Sequence, residues 1–269
     1  MAAGCSQPDS LAQLPPNVAT TPPPDRGAIT ITVNPAKTRA ISPYIYGLNF
    51  ATKVDDSPSA VSLDRTGGNR WTAYNWETNT SNAGRDYQYQ NDRYLGNNVT
   101  PGGIVAELID DDRKRGMASL ITVPMQGLVA ADDRGPVKMD NPPDLTRFKK
   151  TVHEKASVSR DPFTLKPTVS DDAVYMDEFV WALDQKFAGQ NIFGAKPAAQ
   201  PVFVSLDNEP ELWNQTHLEI QGAKNVSADE YIARTLSLAT ALKKQFPDVV
   251  IFGPAHFGFM GMYNWLNEM

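Results

Sequence analysis

The sequence predicts an α/β fold in which parallel strands alternate with amphipathic helices. Three segments are short, nearly continuous apolar runs: SLITVPM (119–125), PVFVSL (201–206) and VVIFGP (249–254). Runs of this kind are typical of strands buried on both faces, as in a parallel sheet covered by helices. Between them lie segments whose apolar residues recur at helical spacing, so strand and helix alternate along the chain.

The earlier strands are shorter. The alternating, β-branched sequence AITITV (28–33) predicts one strand, and YIYGLNF (44–50) predicts a second that ends in Asn49. AVSLDRTGGN (60–69) passes from strand to loop at a point where two glycines permit a tight turn. Counted from Tyr44, about five strands precede the last predicted helix.

Three helices are predicted from apolar residues at helical spacing. The first spans about 101–115. The second, 171–187, carries acidic residues in its first turn, where they favour the helix dipole. The third, 227–246, opens with a capping box made by Ser227 and Glu230.

Two sheet architectures accommodate this order of elements. A doubly wound sheet can close with about five strands, whereas a (β/α)₈ barrel needs eight. The barrel interpretation therefore requires this chain to be about the first half of a longer unit. No G-x-G-x-x-G follows the first strand and no P-loop sequence is present, so nothing favours a nucleotide site.

The composition excludes several classes of partner. The chain has 269 residues, a formal charge of −6 and a pI near 5.1, which argue against nucleic acid or anionic membranes as partners. No apolar run is long enough to span a bilayer. The three histidines lie far apart without metal-ligand spacing, and the single cysteine permits no intrachain disulfide. We expect a monomer that binds a neutral, polar substrate.

The N-terminal segment, residues 1–27, is rich in proline and poor in large apolar groups, which predicts a disordered leader or linker. The sequence MAAGC resembles the end of a bacterial lipoprotein signal, in which Cys5 would carry lipid. A stray cysteine in a disordered leader is the alternative. We expect an exported protein that is either extracellular or lipid-anchored at a bacterial cell envelope.

Polar side chains follow the predicted strands where each strand ends. In a barrel, the carboxyl ends of the strands meet at the face that carries the active site. The residues found there are Asn49, Asp64, Arg65, Met125, Gln126, Asp207, Asn208, Glu209, Pro254, Ala255 and His256.

The loop sequence NRWTAYNWETNTSNAGRD (69–86) is dense in asparagine, tryptophan and tyrosine. Aromatic rings can stack on the apolar face of a pyranose while amides hydrogen-bond its hydroxyls, so this composition suits a sugar-binding site. For Trp71 and Trp76, packing in the core is the alternative.

The sequence DNEPELW (207–213) places two acids and an amide at the end of a buried strand. Partial burial would raise the pKa of Glu209 and suit it to act as the acid that cleaves a glycosidic bond. Asn208 would face the 2-hydroxyl of the sugar, and Asp207 would support the strand end. Pro210 predicts an extended backbone at Glu209.

Together, RTGGNRWTAYNWETNTSNAGRDY (65–87) and SLDNEPELWNQTH (205–217) resemble glycoside hydrolase family 44, whose members are endo-acting β-1,4-glucanases that often also cut xyloglucan. The resemblance implies a retaining mechanism and a (β/α)₈ barrel with an accessory β-sandwich. Residues 28–43 would then be a strand segment of the sandwich. Residues 44–269 would be an incomplete catalytic barrel of about five β/α units.

The resemblance also implies roles for particular residues. Glu209 would be the general acid/base and Asn208 the contact to the substrate 2-hydroxyl. The residues expected to bind substrate are Asn49, Asn69, Trp71, Trp76, Trp213 and His256. No cofactor is expected to be required, but the family suggests a structural calcium ion, for which Glu77 and Asp86 are the candidate ligands. Solvated surface acids are the alternative for this pair.

The nucleophilic glutamate is expected on a later barrel strand, and the other carboxylates weighed for that role, Glu211, Glu268, Asp64 and Glu77, do not fit it. We therefore expect the isolated chain to be inactive. Two other functions stay open: a non-catalytic β-glucan-binding protein, and a related retaining barrel enzyme that acts on xylan or mannan.

Overall fold

A computed structural model describes residues 31–51, 61–139, 142–197, 199–263 and 265. The predictions for the leader, for Cys5 and for Glu268 lie outside the described residues. The chain divides into two units, Met1–Ala40 and Ile41–Met269.

In the first unit, only residues 31–40 are described, and they form a turn at 35–36 without a strand. The strand predicted at 28–33 is therefore absent over residues 31–33, while residues 28–30 lie outside the described part. A strand requires a hydrogen-bonded neighbour, and none of the strands described below pairs with these residues. The assignment of 28–43 to a β-sandwich stays a prediction.

The described part of the second unit contains the strands β1 (Gly47–Asn49), β2 (Leu63–Arg65), β3 (Ser81–Asn82), β4 (Gln90–Asp92), β5 (Ala118–Val123), β6 (Leu128–Ala130), β7 (Gly135–Pro136), β8 (Phe148–Val152), β9 (Ala173–Tyr175), β10 (Val202–Leu206) and β11 (Ile251–Phe252). Its helices are α1 (Asn69–Thr72), α2 (Gly103–Lys114), α3 (Met176–Lys186), α4 (Trp213–Thr216), α5 (Leu218–Gln221), α6 (Ala228–Gln245) and α7 (Phe259–Tyr263). Short 3₁₀ turns occupy Gly84–Tyr87, Lys155–Ser157 and Pro210–Leu212. None of the described helices is both long enough and apolar enough to cross a membrane.

A five-stranded sheet in the order β1-β2-β5-β10-β11 forms the centre of the second unit, and all of its strand pairs are parallel. Each of its strands lies within a segment that the sequence predicts as a strand, except that β5 begins one residue earlier, at Ala118. The prediction of a parallel α/β sheet is thus confirmed.

The three predicted helices also form. The side chain of Ser227 accepts a hydrogen bond from the Glu230 amide and so caps α6 as expected. The second predicted helix begins later, at Met176, because Ala173–Tyr175 pairs with β8 as strand β9. Here a hydrogen-bonded strand partner outweighs the helical tendency of the first turn.

Helices α2, α3 and α6 cover one face of the central sheet. Their apolar side chains bury Ile121 and Val204 completely, together with Phe179, Leu183 and Leu238 in the same core cluster. Two smaller three-stranded sheets, β3-β4-β7 and β6-β8-β9, are formed by chain segments that lie between the central strands β2, β5 and β10. The hairpin β3-β4 brings the segment after α1 back towards the end of the central sheet, where it borders the cavity described below.

The opposite face of the central sheet is less well covered. Phe203 makes edge-on ring contacts with Tyr44 (centroids 5.2 Å apart) and with Phe252 (5.7 Å apart). Phe203 also lies in register with Leu120, which lies in register with Arg65. Phe252 is 48% exposed, so an apolar row on this face of the sheet remains partly open to solvent.

Candidate active site

The carboxyl ends of the parallel strands bring the predicted site residues to one edge of the sheet. Pairing between β10 and β11 continues beyond the strands through a bridge between Asn208 and Ala255. The Glu209 amide also donates to the Ala255 carbonyl over 2.7 Å. These bonds fix the backbone of the DNE sequence at the end of β10.

The side chain of Asp207 holds this turn in place through hydrogen bonds. It is fully buried and accepts hydrogen bonds from the Thr72 hydroxyl (2.6 Å) and from the amides of Asn208 (2.7 Å), Gln126 (2.9 Å) and Met125. One carboxylate therefore ties together the ends of β5 and β10 and helix α1, which is the supporting role expected for it.

The backbone at Asp207 and Glu209 adopts the left-handed conformation, with φ of 69° and 45°. The prediction that Pro210 holds Glu209 in an extended conformation is therefore wrong. The extended preference of a residue before proline is outweighed here by two turn bonds: the Glu209 amide donates to the Ala255 carbonyl, and the Glu209 carbonyl accepts from the Leu212 amide. Two non-glycine residues with positive φ in one short turn indicate backbone strain of the kind found at functional sites.

Glu209 is a half-buried carboxyl group at this edge. Burial raises its pKa, and the neighbouring charge of Glu211 raises it further, whereas the amide of Asn208 and the guanidinium of Arg65 act in the opposite direction. The net effect is upward, so Glu209 holds its proton to a higher pH than an ordinary glutamate does.

Asn208 is held by two donors. Its Oδ1 atom accepts from Arg65 Nη2 over 2.6 Å and from the Gly68 amide over 3.1 Å. Because both partners are donors, the oxygen is assigned to that side and the amide nitrogen Nδ2 points away from them. Nδ2 is buried and has no hydrogen-bond partner among the described residues. It lies near the Glu209 carboxyl, close enough to favour its charged form but outside hydrogen-bonding geometry.

A cavity of about 790 Å³ opens next to this turn. Gly68 connects the cavity to the turn, because it lines the cavity and its amide donates to Asn208. It is lined by Asn49, Phe50, Gly67, Gly68, Asn69, Arg70, Trp71, Asp86, Tyr87, Gln90, Asp92, Tyr94 and Leu95. Four of the predicted residues, Asn49, Asn69, Trp71 and Asp86, are thus brought together here.

Trp71 borders the cavity but is only 1% exposed. Its ring packs against Tyr74, with centroids 4.9 Å apart, and against Phe50 at 6.4 Å. Its Nε1 atom is buried and has no hydrogen-bond partner within the described ranges. The expected contact between Trp71 and substrate stays a prediction.

The other two tryptophans do not reach the cavity, and the prediction that they line a sugar cleft is corrected. Trp76 is fully buried, stacks on Phe179 at 5.7 Å and donates from Nε1 to the Tyr175 carbonyl. Trp213 is also fully buried and donates from Nε1 to the Asn208 carbonyl over 3.1 Å. Core packing accounts for both rings, and Trp213 serves the site by supporting Asn208.

His256 lies beside Glu211 rather than in the cavity wall. Its Nδ1 atom is 3.3 Å from Glu211 Oε1, which also accepts from the Phe257 amide over 2.7 Å. The imidazole makes edge-on contacts with Tyr231 and Trp265. A role for His256 in binding substrate stays a prediction.

The two predicted calcium ligands lie at different places, which contradicts a shared site. Asp86 borders the large cavity and accepts from Asn69 Nδ2 over 2.8 Å. Glu77 is buried at a separate cavity and pairs with Lys149 over 2.8 Å, while burial raises its pKa to about 7. Lys149 also contacts Asp171 over 2.7 Å, so an ammonium group already supplies positive charge there.

Among the residues that the structure describes, no group of three or more histidine, cysteine, aspartate or glutamate side chains is arranged to hold a metal ion. The structural calcium ion that the resemblance suggests stays a prediction.

Sequence reasoning assigned no role to three of the side chains that shape the site. Arg65 holds Asn208, and it is recognisable from sequence only as a residue at a strand end. Tyr87 and Tyr94 lie at the cavity mouth and are 55% and 72% exposed. The sequence signal available for them was the occurrence of several tyrosines within a short polar segment.

Known proteins resemble this chain over most of its length. The family model described as glycoside hydrolase family 44 matches residues 80–268. Endoglucanase A of Paenibacillus lautus is 36% identical over 249 residues, which is 89% of this chain and 34% of that protein. The β-mannanase/endoglucanase A of Caldicellulosiruptor saccharolyticus is 36% identical over 245 residues, which is 88% of this chain and 17% of that protein.

Two solved structures have the same fold over most of the chain. The family 44 xyloglucanase of Paenibacillus polymyxa, solved with xyloglucan, is 38% identical with a TM-score of 0.75, and the match covers 86% of this chain and 44% of that one. The family 44 endoglucanase Cel44A of Clostridium thermocellum is 39% identical with a TM-score of 0.73, over 83% of this chain and 43% of that one. The chain spans less than half the length of each of these relatives, and it belongs to glycoside hydrolase family 44.

Proposed function

We propose that this chain supplies the general acid/base half of the active site of a retaining glycoside hydrolase that cleaves β-1,4-glucans. The carrying observation is Glu209, a half-buried carboxyl group with a raised pKa at the carboxyl end of β10. A general acid must hold a proton near the working pH, and partial burial of a carboxyl group is the usual way to achieve this.

The reaction would proceed in two steps. Protonated Glu209 donates its proton to the glycosidic oxygen while a second carboxylate attacks the anomeric carbon, so that the bond to the leaving sugar breaks. Glu209, now ionised, then removes a proton from a water molecule that attacks the same carbon and releases the nucleophile.

The second carboxylate would come from a later strand of a longer protein. The neighbouring candidates have other partners in this structure. Glu211 accepts from the Phe257 amide, Asp64 accepts from the Ala51 amide over 2.8 Å, and Glu77 pairs with Lys149.

Asn208 would bind the 2-hydroxyl of the sugar at the cleavage point. Arg65 and Gly68 hold its oxygen, which leaves the Nδ2 group without a partner among the described residues. A donor fixed in this way needs no reorganisation when substrate binds, and the bond can strengthen as charge develops in the transition state.

The central sheet would be the first five strands of a (β/α)₈ barrel. Parallel strands are normally covered on both faces, yet Phe252 is 48% exposed on the less covered face. In a closed barrel this face becomes the packed interior. We propose that further β/α units cover it in the full-length protein, meaning a chain that continues this sequence into the remaining strands.

The family relatives are named endoglucanase and xyloglucanase, which supports a β-1,4-glucan substrate. The test is hydrolysis of soluble cellulose derivatives, xyloglucan, mannan and xylan by the full-length protein, with the configuration of the new reducing end followed by NMR. We expect glucan cleavage with retention. Binding without cleavage would favour a β-glucan-binding protein instead, and preference for mannan or xylan would favour a different barrel glycosidase.

Tyr94, at the cavity mouth, leads to a prediction about how KM depends on the length of the oligosaccharide substrate. One face of the Tyr94 ring is covered by the Arg70 guanidinium, 4.4 Å from the ring centroid, and Arg70 is fixed by two bonds to Asp92. The other face would stack on a sugar outside the cleavage point. We expect Tyr94→Ala to raise KM for cellohexaose about 5- to 10-fold, since one stacking contact contributes about 1 kcal/mol.

In the same variant, kcat and the KM for cellotriose should change little. Leu236→Ala on the exposed face of α6 serves as the control, because this side chain is 62% exposed and does not border the cavity. Equal losses on short and long substrates would contradict an outer sugar contact.

A second prediction concerns the pH profile. The charge of Glu211 raises the pKa of Glu209, so Glu211→Gln should lower that pKa. Glu209 must be protonated to act as an acid, and the alkaline limb of kcat/KM should therefore move to lower pH. Glu154→Gln is the control, because Glu154 pairs with Lys244 and does not act on Glu209. An unchanged alkaline limb in Glu211→Gln would show that the limb reports another group.

A further inference from the structure

His217 is a fully buried histidine at the junction of α4 and α5, and no step of the proposed reaction uses it. Its Nδ1 atom lies 2.7 Å from Glu219 Oε1. Its Nε2 atom lies 2.8 Å from the backbone carbonyl oxygen of Asn69, a residue 148 positions earlier. Both ring nitrogens are therefore within hydrogen-bonding distance of an oxygen atom.

The identity of these oxygens decides where the protons are. A backbone carbonyl can only accept, so Nε2 must carry a hydrogen. When Glu219 is ionised its carboxylate also accepts, so Nδ1 then carries a second hydrogen and the ring is an imidazolium that forms a buried ion pair. Removing either member would leave the other charged and unpaired in the core.

The bond to Asn69 reaches the cavity wall. Asn69 is the first residue of α1, and its side chain donates to Asp86, which also borders the cavity. The residue before it, Gly68, donates its amide to Asn208 Oδ1 over 3.1 Å. His217 thus holds the backbone immediately next to one of the two bonds that orient Asn208.

A second path leads from His217 back to the same asparagine. The His217 amide donates to the Trp213 carbonyl over 2.9 Å, and Trp213 Nε1 donates to the Asn208 carbonyl over 3.1 Å. The hydrogen bonds therefore form a closed cycle that runs from Asn208 through Gly68 and Asn69 to His217, and back through Trp213 to Asn208, beside Glu209.

The backbone of Gly84 packs closely against the His217 side chain. Its φ is 54°, and a Cβ atom at this position would lie 2.2 Å from the Thr216 carbonyl oxygen and 2.9 Å from His217 Cε1. The 3₁₀ turn that carries Gly84 also carries Asp86. A side chain at position 84 would therefore push against the imidazole and the Thr216 carbonyl, and glycine avoids this.

We infer that His217 is a positioning residue, held as an imidazolium between Glu219 and the Asn69 carbonyl, that fixes the cavity loop and thereby the orientation of Asn208 next to the acid/base. The part of this inference that concerns catalysis rests on the proposed function. The charge state and the contact to Asn69 do not, and they can be measured on this chain without substrate.

The charged groups around the ring determine its pH dependence. Burial alone would lower the pKa of His217, but the Glu219 charge, the Asn69 carbonyl and the more distant Asp207 charge outweigh it and raise that pKa. From the 3₁₀ turn packed against it come the exposed side chains of Arg85 and Asp86, and from α1 comes Arg70, already paired with Asp92.

Because the folded-state pKa is raised, the ion pair contributes stability that is fully present below the ordinary histidine pKa of about 6.5. This stability is lost as the pH rises through the higher pKa of the folded state. The segment around His217 should therefore become less stable at pH values above the folded-state pKa of His217.

The first test is an imidazole ¹⁵N NMR spectrum, recorded at a pH above the ordinary histidine pKa. We expect His217 to show the signature of a ring protonated at both nitrogens. His153 is the internal control, because burial and the Arg234 charge lower its pKa to about 4 and it should be neutral. A neutral His217 at that pH would overturn the inference whatever the outcome of the activity assays.

The second test separates positioning from general stability in the full-length protein. Glu219→Gln is combined with either His217→Gln or His217→Leu, so that both double variants lack the ion pair. Gln can still donate to the Asn69 carbonyl, whereas Leu cannot. We expect the Leu variant to have a kcat about tenfold below that of the Gln variant, at temperatures where both are fully folded, because its Asn69 carbonyl lacks a donor. Equal kcat values, or a kcat that follows Tm alone, would overturn the positioning role.

Discussion

Glu209→Gln is expected to lower kcat on cellulose derivatives and xyloglucan by about 10²- to 10⁴-fold, the usual contribution of a positioned general acid. Glutamine has nearly the same shape but cannot give a proton to the departing oxygen. The measurement is steady-state hydrolysis by the full-length protein, with Tm recorded in parallel. Tm should change little, because the Glu209 side chain is only half-buried and the charge of Arg65 acts on it against the charges of Glu211 and Asp86.

Two comparisons make this result specific to acid catalysis. A glucoside with a strongly acidic phenol as leaving group needs no proton, so its first cleavage step should be much less affected by the change. Glu154→Gln is the control: Glu154 is a surface glutamate paired with Lys244, and its replacement should leave kcat unchanged. If Glu209→Gln retained wild-type rates on unactivated glucan, the acid would have to be another residue.

Asp207→Ala is expected to lower the free energy of unfolding by about 3–5 kcal/mol, because several buried donors would lose their acceptor at once. The carboxylate accepts from the Thr72 hydroxyl and from the amides of Met125, Gln126 and Asn208, and alanine would leave these donors buried without an acceptor. Urea denaturation of the chain, followed by tryptophan fluorescence, measures this change.

Asp207→Asn and Asp111→Ala are the matched controls. Asparagine tolerates the left-handed backbone at position 207, where φ is 69°, and keeps one acceptor oxygen, so it should cost less than alanine. Asp111 is exposed and pairs only with Lys114 on the same helix, so its loss should cost less than about 0.5 kcal/mol. A change at Asp207 no larger than that at Asp111 would show that the four bonds do not stabilise the fold.

Much of the fold can be predicted from the sequence because its signals are local. A run of apolar residues encodes a buried parallel strand, and the polar residues that follow mark the end of that strand, as in β10 and the turn after it. The cap of α6 is encoded by Ser227 and Glu230, which are three positions apart. For the same reason, Glu209 could be placed at the end of a strand, and that placement is confirmed.

Side-chain exposure was not predictable in this way. Trp71, Trp76 and Trp213 occur in similar polar, aromatic segments, yet only Trp71 borders the cavity. Trp76 is buried because α3 supplies Phe179 as a stacking partner, and that helix lies about a hundred residues later. Aromatic rings suit a sugar site and a hydrophobic core equally well, and only the packing of distant elements separates the two.

The sequence by itself determined the parallel α/β architecture, the family and the strand end that carries Asp207, Asn208 and Glu209, since these depend on neighbouring residues. The tertiary structure alone decided which groups surround that strand end. Arg65 reaches Asn208 across 143 positions and His217 reaches Asn69 across 148. Such contacts exist only after the sheet has brought separate strand ends to one edge, because no local pattern encodes a partner so far along the chain.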